Sequence, residues 1–199
     1  EALARTTHLA ISAHQDDLEI MAFHGILECF QLADRWFTGV VLTDGAGSPR
    51  DDLYRDYSDE KMRAVRRQEQ KKAAYVGDYA AAVLLDYPSS AVKSAAETRV
   101  VSDLVEVLRA TRSEVVYTHN LADKHDTHVA VALRTTVETL QRDARVDEVA
   151  LLGDADAIAE TPCVITVALA GPSSPRATEP NTRTFEAPAF STSESTRWR

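Results

Sequence analysis

The sequence predicts an α/β fold of Rossmann-like type, a mostly parallel sheet flanked by helices. Two observations carry this. Short apolar, β-branched runs alternate with amphipathic stretches of helical period through about the first three quarters of the chain, and that alternation builds βαβ units with right-handed crossovers. The stretches also carry start and stop signals, such as Ser58 before one helical run and Gly77 after it, which are residue types favoured at helix N- and C-caps.

Taken in order, residues 9–13 form a short apolar run read as the first strand, and residues 18–32 have the period of the helix that follows. Residues 37–43 are rich in branched side chains and make a second strand. It ends in Asp44-Gly45-Ala46-Gly47-Ser48-Pro49, a strong turn signal. A polar and aromatic loop then reaches Tyr57, and Ser58 caps a helix over residues 59–76, closed by Gly77. Residues 82–85 are a third strand, broken by Tyr87-Pro88-Ser89-Ser90. A helix is expected over residues 95–111, where Val100, Val101, Leu104, Val105 and Leu108 recur at helical spacing. Residues 114–118 are a fourth strand, and a helix is expected from residue 126 to 143. Residues 148–152 and 164–169 are further strand candidates. The domain is therefore expected to span 1–170, while 171–199, rich in Pro, Ser, Thr and Arg and without periodicity, is expected to be a disordered tail.

A chain of 199 residues with 44% hydrophobic and 27% charged residues suits one domain with a single core. The net charge of −9 and the lack of a basic stripe argue against a nucleic-acid partner. Arg63, Arg66, Arg67, Lys71 and Lys72 do cluster, but Glu60 and Glu69 interrupt them as on a solvated helix face. No apolar run has the length of a membrane span. No basic-then-apolar leader opens the chain, whose first residue is Glu rather than Met, so an upstream segment is allowed for. Cys29 and Cys163 are far apart and form no metal-ligand pair, which makes a reduced, cytoplasmic setting the default.

The chemistry concentrates at two strand ends. His14-Gln15-Asp16-Asp17 follows the first strand and His119 to His128 follows the fourth. In a parallel sheet both open at the carboxyl edge, where such folds bind ligands. His14, Asp17 and His128 offer two imidazoles and a carboxylate, the donor set of catalytic zinc sites that keep a fourth position open. A single metal site at the C-terminal edge of the strands is the expectation. An ion there lowers the pKa of its water to about 7, and Asp16 beside it can take that proton. His125, when protonated, can donate to a leaving amine or an oxyanion. Plainer readings stand beside these: Asp16 or Asp17 can be a helix N-cap, and His125 and His128 can be surface residues at a helix start. His24 reads as packing or surface, and His8, entering the first strand, as background. The joint occurrence of the two clusters on one sheet edge favours the metal site.

Ala13-His14-Gln15-Asp16-Asp17-Leu18-Glu19 resembles the Ala-His-Pro-Asp-Asp-x-Glu signature of the LmbE/PIG-L family of metal-dependent deacetylases. His125-Asp126-Thr127-His128 resembles that family's second motif, His-x-Asp-His. Leu42-Thr43-Asp44-Gly45-Ala46-Gly47 looks like its second-strand loop, and Arg66-x-x-Glu69-x-x-x-Ala73 before Gly77 like its helix signature. The likeness runs from about residue 7 to 140, some two thirds of the chain. It implies hydrolysis of an N-acyl group, usually the acetamide of an N-acetylglucosamine-containing small molecule. By position His14, Asp17 and His128 match the family's ligands for zinc, or another divalent ion. Asp16 matches its base, His125 the histidine that serves the tetrahedral intermediate, and Arg66 an arginine linked to substrate or acetate. Asp44 and Asp123 are further candidates for substrate contact, against turn and cap chemistry. Homo-oligomerisation is left open.

Four departures from the pattern matter. Gln15 replaces Pro and is expected to loosen the turn. Thr127 replaces Asp, so any carboxylate supporting a ligand must come from elsewhere. Met21-Ala22-Phe23-His24-Gly25 replaces a Gly-rich helix start and is expected to narrow or reshape the site. The chain diverges after about residue 143, without the Trp- and Tyr-containing strand region the family leads one to expect. Two other readings therefore accompany the deacetylase: a metal hydrolase acting on a thiol-conjugate amide or phosphoester, and a zinc-binding module without catalysis.

Overall fold

A computed structural model describes residues 1–111 and 113–136, together with the backbone of 164–168. The sheet has five strands: β1 (His8–Ser12), β2 (Phe37–Thr43), β3 (Ala81–Tyr87), β4 (Val115–His119) and β5 (Val164–Ala168). Their order is β3-β2-β1-β4-β5. The first four are mutually parallel and β5 runs antiparallel to β4. Every residue of β1 and β2 is buried, as expected of central strands covered on both faces. The Rossmann-like expectation is met. The expected strand over 148–152, the helix beyond residue 136 and the tail over 171–199 lie outside the described residues.

One face of the sheet packs Leu9, Ile11, Val40 and Leu42 against Val100, Leu104 and Leu108 of α5 (Arg99–Ala110) and Val131 of α6 (Asp126–Leu133). The other packs Ala10, Phe37 and Val41 against Leu18 and Met21 of α1 (Asp17–Met21) and Ile26 of α2 (Phe23–Cys29). The period-2 alternation of each strand thus feeds two separate apolar layers.

The expected single helix over 18–32 is two helices, broken at Ala22. The buried positions Leu18, Met21, Ala22, Gly25, Ile26 and Cys29 keep a helical phase across the break. The bend therefore redirects the axis without turning the apolar face away from the sheet. At Gly25 a Cβ would lie 2.5 Å from the Tyr117 ring, so only glycine admits this approach of α2 to β4. A second difference is α4 (Ser89–Lys93), a short helix where the sequence reads only as a break. Pro88 presets its entry, and Val92, fully buried, anchors it. The helix expected over 95–111 is α5, which begins later, at Arg99. The helix over 59–76 is α3 (Asp59–Val76), with the Ser58 hydroxyl accepting from the Lys61 N–H at 3.3 Å and Gly77 as C-cap.

Chain direction matters most at β1. From β1 the chain crosses to β2 and β3 on one side, then returns through α4 and α5 to place β4 on the other. The segments after β1 and β4 diverge there, and the crevice of a doubly wound sheet opens where this reversal occurs. Ile11 pairs with Thr118, which brings the residues after β1 beside those after β4. His8 begins β1 and so lies at the opposite end of the sheet, bonded to Glu28 and Thr7. Among the described residues no helix is long and apolar enough to cross a membrane.

Leu104 is fully buried between α5 and the sheet. Leu104→Ala is expected to cost about 2–5 kcal/mol of unfolding free energy. Urea denaturation checks this, and a loss well below that range would mean that α5 is not packed as described.

Candidate metal centre

The crevice between the ends of β1 and β4 holds a cleft of about 470 Å³ lined by His14, Asp16, Asp17, Arg66, His125 and His128, among others. Asp17 is held first by the turn itself: the His14 N–H donates to Asp17 Oδ2 at 2.6 Å. That folds the carboxylate back over β1 instead of leaving it as a helix cap. The same Oδ2 lies 3.2 Å from His14 Nδ1 and 3.4 Å from His128 Nε2, and the two nitrogens are 3.2 Å apart. A tetrahedral ion with bonds of about 2.0–2.1 Å has donor-to-donor edges of about 3.3 Å. The triangle of His14, Asp17 and His128 therefore fits a zinc-sized ion.

The tautomer of His128 is fixed by its other nitrogen. Nδ1 lies 2.9 Å from Asp123 Oδ2, and Asp123 Oδ1 accepts the His125 N–H at 2.8 Å. Partial burial pushes the Asp123 carboxyl up, but bonds from the His125 N–H and from His128 outweigh it and hold it below its ordinary value. An ionised carboxylate only accepts, so the His128 proton sits on Nδ1 and Nε2 presents its lone pair to the cleft. His119, Asp123 and His128 also cluster, yet this group does not make a second ligand set. His119 Nε2 accepts the Ala13 N–H at 2.9 Å, continuing the β1–β4 pairing with an imidazole where a carbonyl would otherwise stand. Its lone pair is thereby used. The 3.4 Å separation of that nitrogen from Asp17 Oδ2 is a contact between two acceptors, not a further hydrogen bond.

Four imidazoles share this corner. His128 is stacked between His119, at 4.0 Å between ring centres, and His125, at 4.5 Å. Burial, outweighing the nearby Asp17, holds His119 below its ordinary value. Burial and then the neighbouring His128 and His14 do the same to His125. Neutral rings are the form that binds a cation. Burial would also push the Asp17 carboxyl up, but hydrogen bonding within the cluster, led among real donors by His14, holds it far below the usual carboxylate range.

Asp16 stands at the N-cap position of α1 in the left-handed conformation, φ 84°, and its side chain makes no capping bond. The carboxylate instead meets Arg66 Nη2 at 2.9 Å. Arg66 also donates to the Gln15 carbonyl and to Glu69. His125 caps α6: its Nδ1 accepts the Thr127 N–H at 3.3 Å, which leaves the ring proton on Nε2. As a neutral ring it has one N–H to donate, on Nε2.

Asp44 and Asp123 do not line the cleft. Asp44 is buried and bonded to Arg63 at 2.7 Å and to the Ala46 N–H at 3.0 Å, tying the loop after β2 to α3. Asp123 serves His128, and so supplies the supporting carboxylate that Thr127 cannot. Asp126 turns to Lys93 at 2.9 Å. His24 is exposed beside Glu28. The expected loosening at Gln15 is not found: its buried amide donates to the Thr43 carbonyl at 2.9 Å and binds the turn to β2. Nor do Met21 and Phe23 narrow the site, because Met21 is buried against the sheet and Phe23 lines a separate apolar pocket beside α3. Sequence reasoning passed over the roles of His119, Gln70 and Tyr79. Of these, only the position of His119 at a strand end was a usable signal.

Residues 9–138 match the family described as PIG-L, GlcNAc-PI de-N-acetylase. No curated protein sequence matches the chain. Among solved structures it is similar to an N,N'-diacetylchitobiose deacetylase from Pyrococcus horikoshii, with a TM-score of 0.59 and 21% identity over 68% of this chain and 49% of that one. It is also similar to GalB, a 4-carboxy-2-hydroxymuconate hydratase from Pseudomonas putida, with a TM-score of 0.56 and 25% identity over 68% and 56%. A third is the A40926 pseudoaglycone deacetylase Dbv21, with a TM-score of 0.53 and 18% identity over 70% and 61%. The chain thus spans about half the length of the first of these and less than two thirds of the others.

Removing a donor and removing its support should differ in degree. His14→Ala or His128→Ala is expected to abolish stoichiometric divalent metal, read by elemental analysis. Asp123→Ala is expected to weaken metal affinity by about 10–100-fold, since it frees His128 to rotate and to change tautomer. Unchanged affinity in a competition titration would remove Asp123 from the site.

Proposed function

The chain belongs to the PIG-L, GlcNAc-PI de-N-acetylase, family, and on that footing we propose that it is a zinc-dependent N-deacetylase acting on the acetamide of a small amino-sugar conjugate. The observation that carries this reading is the triangle of His14 Nδ1, Asp17 Oδ2 and His128 Nε2, with edges of 3.2–3.4 Å, in one cleft with Asp16 and His125. His14, Asp17 and His128 would hold the zinc, which when bound would supply an acidified water, with a pKa of about 7, and a Lewis acid for the carbonyl. Every other part of the reaction falls to the chain's own residues.

Asp16 takes the proton of the attacking water. His125 donates its Nε2 proton as a hydrogen bond to the amide oxygen as that oxygen gains charge. Its neutral state suits this, because it can donate without placing a cation beside the metal. The C–O bond forms first, giving a tetrahedral adduct; Asp16 then returns its proton to the nitrogen, and the C–N bond breaks as the carbonyl re-forms. The products are acetate and a free amine. Arg66 gives Nη2 to the Gln15 carbonyl and the Asp16 carboxylate and one Nη1 proton to Glu69, which leaves its second Nη1 proton to hold a substrate oxygen.

One fold carries deacetylases and a hydratase among the similar structures, so the fold alone does not choose the reaction. The reading therefore needs a product assay. Acetate released from N-acetylated amino-sugar conjugates separates it from hydrolysis of a thiol-conjugate amide or a phosphoester. Stoichiometric zinc without turnover on any N-acyl substrate would make the protein a metal-binding module. Asp16→Asn is expected to reduce kcat by about 10²–10⁴-fold with zinc retained; full activity in that variant would refute the base assignment.

A further inference from the structure

The proposed base depends on a backbone conformation that its own sequence does not favour. Asp16 is left-handed at φ 84°, a region that costs most L-residues about 1–2 kcal/mol and Asp less. Its N–H consequently points away from α1 and towards α3, where Gln70 Oε1 accepts it at 3.1 Å. Gln70 is 1% exposed, so the acceptor end of this part-buried bond is shielded from water. A backbone N–H can only donate, which fixes the amide: Oε1 faces Asp16 and Nε2 faces Glu19, at 2.9 Å from Oε1. That Glu19 oxygen also accepts the Tyr79 hydroxyl at 2.7 Å. The relay joins the turn after β1, α1, α3 and the segment leading into β3.

Two features set this relay apart from ordinary core packing. Arg66 and Gln70 lie one helical turn apart on α3 and grip the same turn. Arg66 takes the Gln15 carbonyl and the Asp16 carboxylate, and Gln70 takes the Asp16 N–H. In addition, Glu19 Oε2 is buried with no hydrogen-bond partner among the described residues. Such an atom costs about 1–3 kcal/mol, so packing stability alone does not explain the carboxylate.

We propose that Gln70 is a positioning residue: held by Glu19 and Tyr79, it captures the Asp16 N–H, keeps that residue left-handed, and so aims the Asp16 carboxylate into the cleft. The inference rests on the reading of Asp16 as base, but the conformation itself can be tested separately. Gln70→Leu keeps bulk and removes both hydrogen bonds. The double variant Glu19→Gln/Gln70→Glu exchanges partners. A carboxylate at 70 accepts from Asp16 N–H and from the new amide at 19, whose oxygen accepts from Tyr79. The single variant Gln70→Glu sets two carboxylates against each other.

Zinc-loaded proteins are compared by acetate release from an N-acetylated amino sugar and by exchange of the Asp16 amide proton in ¹⁵N spectra. Gln70→Leu is expected to lower kcat by about 10–100-fold with KM and zinc content unchanged, since a small misplacement of a reacting group has that effect. Its Asp16 amide should exchange faster. The double variant should recover kcat and amide protection above Gln70→Glu alone, while Glu19→Gln alone, whose amide oxygen still accepts from Gln70 and Tyr79, should keep both; the pair also decides the matter if Gln70→Leu does not fold. The inference is overturned if Gln70→Leu keeps both kcat and Asp16 protection, or if the exchange of partners recovers neither. If the unsubstituted protein releases no acetate, the deacetylase reading falls, and the amide measurement still decides the role of Gln70.

Discussion

Three electron-rich atoms from two separate parts of the chain lie within 3.4 Å of one another: His14 Nδ1, Asp17 Oδ2 and His128 Nε2. Left to themselves, lone pairs at that spacing repel. They stay together because Asp17 and His128 are each fixed from behind. The His14 N–H holds Asp17, Asp123 holds His128, and the Ala13 N–H holds the His119 ring on which His128 stacks. Folding energy spent elsewhere keeps these donors together, and a cation gains by binding them.

That support comes from the sheet. Parallel pairing of β1 with β4, in the register that sets Ile11 opposite Thr118, is the remote alignment that brings His128 beside His14 and Asp17. A shift by one residue would exchange the two faces of β4 and send His119 to the wrong layer. The two apolar layers specify the register, so the same burial that stabilises the domain also sets the spacing of the three candidate donor atoms.

Helix α3 plays a different part. It contributes none of the three donors, yet Arg66 and Gln70 hold the turn on which two of them lie. Asp44, bonded to Arg63 of the same helix, ties in the loop after β2, and Gln15 ties the turn to Thr43. The residue that departs from the family's proline therefore does by hydrogen bonding what a ring does by restricting φ. The electrostatics follow the same division. Burial favours the neutral form of His119 and His125, and the cation that meets Asp16 is the Arg66 guanidinium, which keeps its charge when partly buried.

How much of this was legible beforehand differs by residue. The sequence by itself determined the α/β alternation, because apolar period and cap signals are local. The span of α3 from its Ser58 cap to Gly77, and the span of β2, were read without error. It also determined the candidate donors, since His and Asp clustered at strand ends are visible in one dimension. Tertiary structure alone decided the break at Ala22, the helix at Ser89–Lys93, and the use of Asp44 and Asp123 as supports of the protein's own groups. It alone decided that Gln15 and Gln70 are buried and bonded. These outcomes depend on which atoms meet across the sheet edge. Glutamine reads as polar surface in any sequence, and only a neighbouring backbone N–H or carbonyl at hydrogen-bond distance can turn it into a structural element.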